Sequence, residues 1–89
     1  MKAVVSVMGI DQTGIIAKVS DCLFRYGVNI LDINQTIMQN IFTMVMLVEF
    51  GENSGVSKDV MAELERIGKE IGVEIRMQHE DIFNSMHRI

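Results

Sequence analysis

Ile41-Phe42-Thr43-Met44-Val45-Met46-Leu47-Val48-Glu49-Phe50 is the stretch that decides the fold. Only Thr43 and Glu49 interrupt it, and no Gly or Pro breaks it. Its apolar side chains fall on both faces of an extended chain, so the strand belongs inside a sheet rather than at its edge. Upstream, residues 28–38 mix Ile30, Leu31, Ile33 and Ile37 with Asp32, Asn34 and Gln35, which predicts an edge strand. Gln39-Asn40 joins the two as a hairpin turn, with Asn40 the residue suited to a left-handed backbone.

Further toward the N-terminus, residues 3–8 form a second short, valine-rich run ending at Gly9, a strand expected to be fully buried. Between the runs, Ile15, Val19, Cys22, Leu23 and Tyr26 recur at helical spacing, and Gly27 supplies a stop. Downstream of Phe50, residues 51–55 are a polar loop, with Ser54 or Ser57 available as a helix cap. Val56, Val60, Leu64, Ile67 and Ile71 then form the strongest helical stripe in the chain, and Gly72 ends it. Val73, Ile75 and Met77 alternate with Glu74, Arg76 and Gln78 as a half-buried strand. Beyond it, Ile82, Phe83, Met86 and Ile89 predict a short tail helix over 80–89, capped by Asp81.

The order β-α-β-β-α-β, with short right-handed connections, predicts an α+β, ferredoxin-like sandwich. It comprises a four-stranded antiparallel sheet with two helices on one face, plus the C-terminal helix. One domain over 1–89, with its core in 2–79, is expected. The first and third strands are central in that fold, and they are the two most apolar. Both helices pack on the same face, so something must cover the other: the tail helix, a second subunit, or both. A homodimer or higher homo-oligomer is expected.

Composition narrows the function. The 89 residues, 48% apolar and 22% charged with no Pro, suit one globular domain without a linker. A net charge of −4 with scattered bases is poor equipment for nucleic acid or an anionic lipid surface. Cys22 stands alone, so no intrachain disulfide or Cys-pair redox motif exists. The N-terminal apolar run is too short for a signal peptide, and no run approaches a membrane span. A cytoplasmic location is expected.

No catalytic constellation can be assembled. His79 and His87 are eight residues apart in the sequence, and adjacent strand residues point to opposite faces, so no metal site is expected. Cys22 belongs to the first helix's buried stripe, while Met44, Met46 and Met77 fill core. An acylphosphatase of similar architecture needs an arginine in the turn after the first strand, where this chain has Asp11. An RNA-recognition domain needs bases and exposed aromatics on the central strands, and the third strand carries no base. No cofactor is expected.

The turn Gly9-Ile10-Asp11-Gln12-Thr13-Gly14 holds what chemistry remains. The helix start leaves the amides of about Gly14 to Ile16 without helical partners, a place for a carboxylate. Asp11 can pair with an ammonium, so the two ends of a zwitterion are matched. The same residues also allow a plainer arrangement, with Asp11 or Thr13 capping the helix.

The strand, the sequence Gly-x-Asp-x-x-Gly-Ile-Ile-Ala from Gly9 to Ala17, the helix, and then Gly27-Val28-Asn29-Ile30 resemble the ACT domain family. That family places Asp/Asn-x-x-Gly before its first helix and Gly-hydrophobic-Asn-Ile at its second strand. The resemblance spans about residues 2–79. The ending from Ile82 to Ile89 looks like that of stand-alone bacterial and archaeal ACT proteins, and the chain is also similar to the amino-terminal ACT module of the glycine-cleavage regulator. The resemblance implies a regulatory, non-catalytic module. Such domains bind amino acids where two domains meet and pair through the first helix and second strand. Carried over by position, the ligand contacts are Gly9, Asp11, Gln12, Thr13, Gly14, Ile15 and Asn29. Asp11 stands where several amino-acid-binding members carry Asn. No catalytic or DNA-binding domain adjoins, so output through another, unidentified protein is implied. A structural interaction module without a small ligand is the alternative.

Overall fold

A computed structural model describes residues 1–51 and 56–79. Its strands are β1 (Lys2–Ile10), β2 (Asn29–Met38), β3 (Ile41–Glu49) and β4 (Val73–His79); its helices are α1 (Ile15–Arg25) and α2 (Val56–Ile71). The sheet order is β2-β3-β1-β4, antiparallel throughout, which puts the two most apolar strands at the centre. This is the ferredoxin-like βαββαβ fold. The tail helix over 80–89 and the Ser54 cap lie outside the described residues.

One core explains the layering. Phe42, Met44, Met46 and Val48 of β3 and Ala3, Val5 and Val7 of β1 pack with Ile15, Val19, Cys22 and Leu23 of α1 and Val60, Leu64 and Ile67 of α2. The two helical stripes are the ones the spacing predicts. Tyr26 ends α1, after which Gly27, at φ 70°, donates its N–H to Phe24 O and Val28 donates to Leu23 O, a Schellman ending.

Four details depart from the sequence expectations. Burial alternates along β3 and along β1 from Val5 onward, because the helices pack on one face: Met8 is 54% exposed and Val45 38%, while Val7 and Met46 are buried; Val4, on the opposite face of β1, is buried as well. Gln39 rather than Asn40 takes the left-handed conformation of the hairpin, at φ 58°. Ser57 is the second residue of α2 and not the residue before it. Neither Asp11 nor Thr13 caps α1; its N-cap is Gly14, with no side-chain cap.

β2 also carries an irregularity. Its pairing with β3 slips by one residue between Ile30 and Asp32. The extra residue reverses the alternation. Ile30, Ile33, Gln35 and Ile37 therefore share the helix-side face, opposite Val48, Met46, Met44 and Phe42.

Candidate ligand-binding site

The turn after β1 is held at two points. The Asp11 N–H donates to Asn40 O over 2.8 Å, tying the turn to the β2–β3 hairpin. The Gln12 side-chain amide donates to Ile71 O over 2.8 Å, tying it to the end of α2, with a longer 3.4 Å bond to Ile10 O. Gly14 then turns the chain at φ 97°, ψ −2°, a left-handed geometry that costs a side-chain-bearing residue about 1–2 kcal/mol. Lys18 N–H closes the first helical bond on Gly14 O at 2.9 Å. The N–H groups of Ile15, Ile16 and Ala17 precede that bond and have no helical acceptor, so they and the helix dipole mark an anion-binding end.

Beside this turn lies a groove of about 210 Å³, lined by Asp11, Gln12, Gly14, Ile15, Ile16 and Ala17, with Gln35 and Ile37 of β2 and Phe42 of β3. No basic side chain lines it. Lys18 is drawn instead to Glu70, 3.0 Å away. Among the described residues the only charge on its walls is the Asp11 carboxylate, so cations and ammonium groups are favoured at one end and carboxylates at the helix amides.

Of the residues predicted for the site, the structure brings together Asp11, Gln12, Gly14 and Ile15. Thr13 is exposed but does not line the groove. Gly9 lies in β1 with the Val73 side chain pressed against it. Asn29 lies elsewhere, in a second groove of about 520 Å³ with Ala17, Ser20, Asp21, Phe24, Val28 and Ile30. The two grooves share Ala17 and run from it toward opposite ends of the 11-residue α1, about 16 Å long. Within one protomer Asp11 and Asn29 do not meet. The sequence does not point to Gln35 and Ile37, because the slip in β2 hides which face they occupy, nor to Phe42 of β3, whose place beside the turn depends on long-range pairing.

Residues 2–78 match the sequence pattern of the ACT domain. The chain belongs to the ACT domain family. A UPF0237 protein of Methanocaldococcus jannaschii is 50% identical over 88 residues, covering 99% of this chain and 98% of that one. Among solved structures, an ACT domain protein from Streptococcus pneumoniae superposes with a TM-score of 0.81 at 37% identity, covering 93% of each chain. A putative glycine cleavage system transcriptional repressor shares the fold, with a TM-score of 0.79 at 23% identity over 86% of this chain and 44% of that one. The ACT family is one of regulatory ligand-binding modules.

Both grooves of this ACT domain open along one edge, formed by α1 and β2. Ile16, Phe24, Leu31, Ile33 and Ile37 are all exposed there. The charges of α1 are gathered on its other side, in a ladder running Lys18–Glu70–Arg66–Glu63–Arg25–Asp21 with separations of 2.6–3.2 Å. Arg66 first, then Arg25, holds the Glu63 carboxyl down to about 2. The ladder clamps α1 to α2 and leaves the edge without a basic side chain, its charges being the carboxylates of Asp11, Asp21 and Asp32. Among the described residues no group of three or more His, Cys, Asp or Glu could hold a metal ion. No helix among the described residues is long and apolar enough to cross a membrane.

Proposed function

We infer that this ACT domain is a dimeric sensor of an amino acid or similar small metabolite, acting through contact with a partner protein. One observation carries the reading: two half-lined grooves, meeting at Ala17, extend toward opposite ends of a single α1–β2 edge. A two-fold axis across that edge pairs it antiparallel with its copy and sets the Asn29 groove of one protomer on the turn groove of the other. The ligand carboxylate then meets the amides of Ile15 and Ile16, its ammonium meets Asp11, and the partner's Asn29 supplies a further hydrogen bond. A cytoplasmic location suits the free thiol of Cys22.

Thermal-shift screening of the twenty common amino acids, with sedimentation in parallel, tests this. A ligand should raise the melting temperature in step with RT ln(1 + [L]/Kd), and Asn29→Ala should remove the effect without unfolding the chain. No stabilisation at millimolar concentration sinks the amino-acid version.

A second reading, a structural interaction module without a small ligand, has its own support in the sheet face away from the helices, where Met8, Ile10, Ile41 and Val45 are exposed. Under it, Met8→Lys with Val45→Lys abolishes capture of a partner protein, and no amino acid stabilises the domain.

A further inference from the structure

Phe24 is 81% exposed, more than any other large apolar side chain among the described residues. It ends an outer row on α1, Ile16, Ser20 and Phe24, whose spacing of four residues keeps all three on one line. The Ser20 hydroxyl donates to Ile16 O at 2.6 Å, so the middle of the row is small and its polar group is already satisfied. Ala17 lies beside it. Lys18 and Arg25 are held toward α2 by Glu70 and Glu63, which leaves the row itself without charge.

This row is symmetric about Ser20: a large apolar residue at each end, a small one between. A two-fold axis passing Ser20 sets Phe24 against Ile16 of a second copy, each about 6 Å along the helix from the axis. Ile16 and Ala17 are walls of the turn groove. Exposed Ile33, midway along β2, continues the same edge. The self-matching pattern and the absence of charge select a second copy of this chain as the occupant.

Resting on the dimeric reading above, we propose that Phe24 of each protomer seats against Ile16 of the other and closes its turn groove. The partner's Phe24 is then one wall of the ligand site, and the size of that side chain sets how large a ligand side chain fits beside Asp11.

The chain has no Trp, so Phe24→Trp introduces a unique fluorophore. Its emission should be blue-shifted in the dimer and move to the red on dilution, with the midpoint that sedimentation gives for dissociation. Phe24→Ala should leave the circular dichroism spectrum unchanged and weaken dimerisation roughly a hundredfold or more, since an anchor is lost twice per dimer. Cross-linking fixes the register. Ser20→Cys should oxidise to a covalent dimer and Phe24→Cys alone should not, while Ile16→Cys mixed with Phe24→Cys should. A dimer whose introduced indole stays solvent-exposed, or which cross-links through Phe24→Cys alone, overturns the placement of Phe24 and leaves the dimeric reading standing. A chain that stays monomeric at hundreds of micromolar overturns both.

Discussion

The Gln12 side-chain amide donates to the Ile71 carbonyl over 2.8 Å, joining two residues 59 apart in the sequence. Ile71 is the last residue of α2, where carbonyls lack helical partners. The bond therefore satisfies a helix end and fixes the turn that lines the smaller groove. Gln12→Ala should cost about 0.5–1.5 kcal/mol in urea titrations. Each kcal/mol corresponds to a melting temperature lower by roughly 4–8 °C in a domain of this size. Gln12→Glu should be worse than Gln12→Ala, because a carboxylate then faces the carbonyl oxygen. A Gln12→Glu variant as stable as the parent would show that the bond contributes nothing in solution.

Cys22 is fully buried in the core cluster, and burial pushes its thiol above the usual range. Thiolate is the reactive form, so the native domain should resist alkylation at neutral pH. Reaction with iodoacetamide should appear only as urea unfolds the chain, with the same midpoint as the circular dichroism signal. Cys22→Ser places a hydroxyl among Val19, Leu23 and their neighbours and should cost about 1–3 kcal/mol, more than Cys22→Ala. Fast labelling of the folded protein would place the thiol at the surface.

How far the sequence reaches depends on whether a residue's neighbours are local. The stripe Val60, Leu64, Ile67 and the alternation Val73, Ile75 predict their elements because period alone decides which face is buried. Apolar residues on both faces predict the central place of β3, and the structure agrees, with the helix-side residues fully buried and Ile41 and Val45 of the other face exposed. Caps and turns fared less well. Asp11, Thr13 and Asn40 all have the chemistry for their expected roles, yet Gly14 and Gln39 take the special conformations, since the Asp11–Asn40 backbone bond sets both loops together. The slip at Leu31 shows in pairing and not in composition, so Gln35 and Ile37 could not be assigned to the groove. The distance from Asp11 to Asn29 is a property of α1's length, and their meeting requires a second protomer.

Acid should reveal the ion ladder between the helices. The Glu63 carboxyl is held down to about 2 by Arg66 and then Arg25, and Glu70 is lowered by Lys18 and then Arg66. An unfolded glutamate titrates near about 4.3, so on acidification the unfolded chain takes up protons first. The contribution of these groups is complete above that value and is lost as pH falls through it toward about 2. The urea midpoint should decline across this window, and Glu63→Gln should flatten the decline. Because the ladder lies at the surface, 1 M salt should shrink the effect. A pH profile unchanged by Glu63→Gln would mean that the ladder forms without stabilising the fold.

Two glycines meet the same residue in different ways, and that difference is measurable. A Cβ on Gly9 would lie 2.7 Å from the Val73 side chain, whereas a Cβ on Gly68 would lie 2.7 Å from the Val73 backbone oxygen. Either overlap forces β4 away from its neighbour, so Gly9→Ala and Gly68→Ala should each cost about 1–3 kcal/mol. Trimming the obstacle should help only where the obstacle is a side chain. Val73→Ala on its own loses buried apolar contact, yet combined with Gly9→Ala it should cost less than the sum of the two, with a coupling of about 0.5–3 kcal/mol. Combined with Gly68→Ala it should add nearly independently, because the carbonyl remains. Equal coupling in the two cycles would mean that β4 shifts as a body, carrying the Val73 carbonyl away from α2 as readily as it moves the side chain from β1.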